Sequence, residues 1–448
     1  MERMLARARR QLVVLALALL PAAPGHAVIP GIQGPSFSLR AGATYIPTPD
    51  GDSLRIWAFG AAAAGTPLQY PGPTLIVEQG ATVTITLTNN LPEPTSIVFP
   101  GQGAVTTSGG APGLLTAEAA PSGGTVTYSF VARQPGTYLY QSGSHPELQI
   151  EMGLVGALIV RPTGFDANVP AQRTAYGHPD TAYDHEYLFL LSEMDPRIHD
   201  LVDFGHANLV DNPSAFPVLW FINGRNGIDT LSPAGAPWLP AQPYDALART
   251  RPGEKVLLRF VGAGRDPHPF HPHGNHSRLV ARDARLLGTG PGTGADLAVD
   301  DFTFTILPGA TYDAIFTWTG RKLGWDIYGD PSDPAFAHDC TDAVDNQTGA
   351  ATPDDLDDAT AEYCPDHGKP LRVTLPGFQD VAFGGWWSGS AFLGHFGNLP
   401  PGEGGLNLNG GLFFMWHSHN EKELTNNDIF PGGMLTFVII EPPGTAIP

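Results

Sequence analysis

The feature that most narrows what this chain can fold into is an internal repeat. In the first half, Tyr70-Pro-Gly-Pro-Thr-Leu-Ile-Val-Glu-Gln-Gly80 leads into Ala81-Thr-Val-Thr-Ile-Thr-Leu-Thr88. Val83, Ile85 and Leu87 alternate with threonines, a period of two that marks a half-buried strand. In the second half, Arg251-Pro-Gly-Glu-Lys-Val-Leu-Leu-Arg-Phe260 puts Val256, Leu258 and Phe260 on one face. An offset of 173 residues aligns Gly80 with Gly253, and the same offset aligns Gly101 with Gly274. Further on, the turn and strand beginning at Pro121 match those beginning at Pro308. Thr137 to Gln141 matches Leu412 to His417, and the closing aliphatic runs Val155 to Val160 and Met434 to Ile440 also correspond. Two copies of one strand-rich unit are therefore expected.

The first unit is read as residues 33–162 and the second as 184–442. An insertion at about 321–410, rich in Gly, Pro and Asp, interrupts the second. It holds both cysteines, Cys340 and Cys364, which predicts a long excursion stapled by one disulfide in an oxidising compartment. The 54 glycines and 44 prolines are spread along all 448 residues, which fits many short strands and turns rather than a disordered tract. The expected fold is all-β: two Greek-key β-barrel domains, with the stapled insertion in the second.

The N-terminus reads as a targeting segment. Arg3, Arg7, Arg9 and Arg10 precede an apolar run from Leu12 to Leu20, and Gly25-His26-Ala27 offers a small-residue cleavage site. Residues 1–27 are thus expected to be a signal peptide, exported by the general or the twin-arginine route, leaving a periplasmic or secreted protein. The apolar run is too short to span a bilayer, and no later stretch suffices. A formal net charge of −20 disfavours nucleic acid and anionic membrane surfaces and attracts cations. Small-molecule or metal-ion substrates are the expected partners.

The chemistry concentrates in the second unit. Asp266-Pro-His268-Pro-Phe-His271-Pro-His273-Gly-Asn-His276 is followed much later by Phe414-Met-Trp-His417-Ser-His419. Residues two apart on a strand face the same way, so each His-x-His pair offers two imidazoles to one spot. Neutral imidazole suits copper, zinc, nickel and iron. Seven further histidines, among them His185 and His199, have no ligand spacing and receive no role.

His268-Pro-Phe-His271-Pro-His273-Gly is similar to the His-Pro-x-His-x-His-Gly motif of multicopper oxidases, and the second segment resembles their His-Cys-His segment. Phe221-Ile-Asn-Gly224, Gly72-Pro-Thr74 and Thr95-Ser-Ile97 fit the same family, whose domains are cupredoxin-like. The resemblance implies copper as the cofactor. His271 would serve a type 2 copper, with His273, His417 and His419 on a type 3 pair, while His268 and Met434 would flank a type 1 site. It also implies a possible homotrimer, in which domain 1 of one subunit faces domain 2 of the next.

The departures are as informative. Ser418 stands at the type 1 cysteine position and Glu423 at the second type 1 histidine position. In domain 1, Val98 and Pro100 stand where His271 and His273 stand in domain 2, and Gln141 and Gly143 where His417 and His419 stand. A blue copper site needs the soft thiolate, which serine does not supply. The expectation is a copper-binding oxidoreductase with a reduced, type 2 or binuclear site, with Glu423 or His145 moving protons. The alternative is a non-enzymatic cupredoxin scaffold or copper-sequestering protein of the cell envelope, and structural zinc also suits the donor set.

Overall fold

In the computed structural model of the protein, the described residues are 28–319, 356–357, 362–363, 407–409, 411–441 and 445–447. The expected signal peptide, both cysteines and nearly all of the expected insertion lie outside the described residues.

The strands form two sandwiches that repeat one another strand by strand. In the first, one sheet runs in the order Ser53–Ala61, Ser36–Pro47, Thr82–Asn89, Gly124–Val131, Thr106–Gly109. Its counterpart in the second runs Leu219–Ile222, His185–Met194, Lys255–Gly262, Thr311–Thr317, Ser277–Arg282. The strands Thr82–Asn89 and Lys255–Gly262 begin and end at the sequence offset that aligned the repeat. Gly80 and Gly253, just before them, share a φ of 85° and 83°. A glycine is the residue that takes this left-handed conformation without strain, so its recurrence marks the same turn in both copies.

The facing sheets repeat as well. Leu75–Glu78 lies beside Val155–Arg161, which pairs with Gly136–Gln141. In the second copy Ala248–Thr250 lies beside Leu435–Ile440, which pairs with Leu412–Ser418. Each of these four sheets contains at least one parallel pairing, for example Ser36–Pro47 with Thr82–Asn89 and His185–Met194 with Lys255–Gly262. Parallel neighbours need the chain to cross over rather than fold back in a hairpin. Alternation of apolar residues reveals strands but carries no sign of this direction.

Burial separates the copies. Thr82–Asn89 alternates buried and half-exposed residues, as its sequence predicts. Lys255–Gly262 is buried at every position after Lys255, because its outer face is covered by domain 1. That face carries Arg259, fully buried. Arg259 Nε donates to Glu186 at 3.1 Å and its Nη1 to Thr137 at 3.0 Å, with Asp313 at 3.5 Å. From domain 1, Arg161 forks onto both oxygens of the same Glu186. Burial would raise the Glu186 carboxyl, but the two guanidinium groups overcome it and hold it down at about 2.

Around this network lies an apolar core shared by the domains, with Ile56, Tyr70, Leu139 and Val155 from the first and Leu190, Met194, Phe221 and Val261 from the second. Tyr70 hydrogen-bonds Ser192 at 2.6 Å, and its backbone N–H donates to Ala241. A Cβ at Gly224 would sit 2.2 Å from the Tyr70 carbonyl oxygen, so only glycine lets the two chains approach here. The helix Pro196–Asp203, which the sequence did not announce, closes the junction's edge. Asp195 caps it, and His199 Nδ1 donates to the Arg55 carbonyl at 2.6 Å.

Replacing Glu186 by Gln leaves two buried guanidinium groups short of a counter-charge. Breaking a buried pair this way costs about 3–5 kcal/mol. Denaturant unfolding of E186Q should show that loss, and a change below ~1 kcal/mol would mean that the network does not fasten the domains.

Candidate metal centre

The strand His268–Pro272 pairs antiparallel with Leu412–Ser418, and His271 stands directly opposite His417. Two segments far apart in sequence thereby bring their histidines to one place. Along His268–Pro272 burial alternates, with His268 and Phe270 inward and His271 half-exposed. Phe270 fills the core against Phe189 and Phe260, and this anchors the register from below. Trp416, fully buried, donates its Nε1–H to the His273 carbonyl at 2.9 Å and fixes the strand end from the other side.

The imidazoles converge. One ring nitrogen each of His271, His273 and His417 lies within 4.8 Å of the others. His273 Nε2 is 3.2 Å from His417 Nε2. Nitrogens bound to one ion stand at most about 4 Å apart, twice a metal–nitrogen bond of ~2.0–2.1 Å. The present spacing therefore suits two neighbouring ions, or a single ion after small ring rotations. His419 completes the ring of four, its centroid 5.0 Å from His271 and 5.5 Å from His417. It is exposed, and Glu421 lies 3.3 Å from its Nδ1.

Their hydrogen bonds decide which nitrogen faces inward. His417 Nδ1 is 2.7 Å from the Ser418 carbonyl, which can only accept, so Nδ1 carries the proton and Nε2 the lone pair. His271 Nδ1 sits 2.8 Å from the Thr303 hydroxyl. Burial, reinforced by the neighbouring imidazoles, pushes His271 down to about 4 and His417 down to about 3. Both are neutral near pH 7 and present lone pairs to a metal. Neutral imidazoles at His271 and His417, with His273 beside them, form a donor set that fits copper. Phe302, exposed, stands edge-on to His271 at 5.9 Å and also covers His276 at 5.5 Å.

Domain 1 has the same slot without the ligands. Val98 and Gln141 form an isolated bridge at the positions equivalent to His271 and His417.

The remaining expected site residues lie elsewhere. His268 is fully buried, with Nε2 2.9 Å from Glu193 and Nδ1 3.0 Å from Glu423. Its expected metal-ligand role meets a ring whose two nitrogens are both engaged by carboxylates. Glu423, expected to move protons, is 2% exposed and committed to His268 and to Asn420. His145 lies in domain 1 between Glu93 and Glu147, at 3.4 and 3.7 Å. These partners give the acid–base roles expected of Glu423 and His145 no support. Sequence reasoning missed Glu193, buried in the apolar strand His185–Met194, and Thr303, a lone hydroxyl before a strand. Neither carries a local signal, since each acts on a residue distant in the chain.

Comparison with known proteins shows what the chain is similar to. A profile described as "Multicopper oxidase" matches residues 61–164. The matched segment, less than a quarter of the chain, is similar to multicopper oxidases. Copper resistance protein A of Escherichia coli is 28% identical over 275 residues, covering 55% of this chain and 41% of that protein. Copper resistance protein A of Pseudomonas syringae pv. tomato is 27% identical, covering 57% of this chain and 44% of that one. The chain thus spans less than half the length of these curated relatives. Among solved structures, the blue copper oxidase from Nitrosomonas europaea superposes with a TM-score of 0.52 at 19% identity, over 90% of this chain and 85% of that one. That likeness establishes the cupredoxin type of fold.

Two measurements test this geometry. Orienting partners of metal-bound histidines contribute about 10–100-fold to affinity. T303V should therefore weaken copper or zinc binding by that factor in calorimetry, and unchanged affinity would remove Thr303 from the centre. For His268, burial alone would lower the ring, but the bonds and charges of Glu193 and Glu423 raise it to about 9. Its stabilising contribution is fully present below the free imidazole value of ~6.5 and fades as pH rises through 9. Chemical denaturation should show stability falling between pH 7 and 9.5 in the wild type, with a flatter profile in H268Q.

Proposed function

We propose that the protein is an exported copper-binding oxidoreductase whose centre is reduced to the histidines of domain 2. The observation that carries this reading is the convergence of His271 and His417, opposite one another on paired strands, with His273 just beyond the end of the first strand. His419 is the fourth ligand in this reading. Copper bound there would supply one-electron redox chemistry. The chain's own part is to keep the imidazoles neutral and to fix their rings through Thr303 and the Ser418 carbonyl. The exposed Phe302 and His419 leave one face of the centre open, which favours a small substrate that reaches it directly. A phenol, a metal ion or a small oxyanion answers that description. A homotrimer with domain 1 of one copy over the next copy's centre belongs to the same reading.

A second reading is copper sequestration without turnover. It is favoured by the name borne by the two curated relatives, Copper resistance protein A.

Metal analysis of the copper-loaded protein, with electron paramagnetic resonance on the same sample, tests both. Between one and two coppers per chain, with turnover of a phenol, a reduced metal ion or nitrite, supports the oxidoreductase. Bound copper without turnover of any of these supports sequestration. Replacing His271 and His417 together by Ala should abolish binding, and unchanged copper content would overturn the site.

A further inference from the structure

The multicopper oxidase family implies a second, type 1 copper, and the residues at its expected position meet in the fold. Ser418 N–H donates to the Met434 carbonyl, Met434 N–H donates to the Glu423 carbonyl, and Glu423 bonds His268. Their chemistry does not fit a soft copper ion. Ser418 offers no thiolate, and both ring nitrogens of His268 are already engaged.

The oxygens are engaged too. One Glu193 oxygen takes the backbone N–H groups of Arg265 and Asp266, and the other takes His268 Nε2. One Glu423 oxygen accepts from Asn420 at 2.9 Å, and the other takes His268 Nδ1. His268 is 0% exposed, Glu193 1% and Glu423 2%. Burial raises the Glu193 carboxyl, while the bond and charge of His268 and the Arg265 amide favour its ionised form. Between two ionised carboxylates, which only accept, an imidazole donates from both nitrogens and carries a positive charge. Such a ring has no lone pair for a metal.

We propose that Glu193, His268 and Glu423 form a closed proton-binding site that excludes metal, in which a buried imidazolium supplies the positive charge that a metal ion would otherwise bring. The site ties together the strand His185–Met194, the strand His268–Pro272 and the short turn Glu421–Leu424. Copper is thereby confined to the opposite face of His268–Pro272, where His271 points. The raised basicity of His268 agrees with this arrangement. Glu193 and Glu423 are the charged groups facing the ring, with Asp266 near Glu193.

The inference about the bridge is independent of whether the histidine cluster binds copper, and the test separates them. The full chain labelled with 15N-histidine is examined by nuclear magnetic resonance at pH 7.5 while zinc, a diamagnetic probe, is added. One histidine should have both ring nitrogens protonated and keep its signals at saturating zinc, while those of the cluster shift. H268Q should lack that signal; if this variant fails to fold, the wild-type titration decides. The absence of a doubly protonated histidine in the wild type, or its loss in step with bound zinc, overturns the proposal. A persisting doubly protonated signal with no cluster histidine responding supports the bridge and fails the metal centre alone. In H271A/H417A, zinc binding should vanish; a remaining equivalent that perturbs the protonated histidine overturns the proposal.

Discussion

The antiparallel pairing of His271 with His417 is the contact on which the site depends. A strand's side-chain period is two, so a slip of one residue would exchange the inward and outward side chains of the strand. Phe270 and Trp416 make that slip costly. Phe270 is locked among Phe189, Phe260 and Phe304, and Trp416 is held by Phe189, Phe316 and the His273 carbonyl. The apolar face of the pair thus sets the position of its polar face. The convergence of the imidazoles is set by aromatic packing one layer below.

That layer is in turn steadied by the junction between domains. Lys255–Gly262 carries Phe260 toward the histidine strand and Arg259 toward domain 1. One strand therefore serves the core beneath the centre on one side and the ionic network on the other. Domain 1 acts as a buttress for domain 2 whether or not it contributes to chemistry.

Much of this was legible in the sequence because it is local or periodic. The alternation of Val83, Ile85 and Leu87 gave a strand, the 173-residue offset gave its partner, and the two His-x-His pairs gave the centre. What stayed hidden depends on contacts between distant segments. Glu193 looks like an accident in an apolar strand until His268 is placed beside it, and Thr303 becomes an orienting group only once its strand lies by His271. His199 had no ligand spacing, and its bond to the Arg55 carbonyl follows from a helix no pattern announced. The parallel pairings were hidden for a related reason: periodicity records which face a residue takes, not the direction of its neighbour.

The Val98–Gln141 bridge in domain 1 has a wider meaning. The rungs between these strands are made of backbone amides and carbonyls, with Val98 N–H donating to Gln141 and receiving the reverse bond. Such rungs hold the strands together whatever side chains project from them. A duplicated frame of this kind lets evolution edit the displayed groups in one copy while the other is left alone. The molecule thus carries a twin of its histidine-bearing surface without the histidines, and the difference between the twins separates what the frame requires from what it displays.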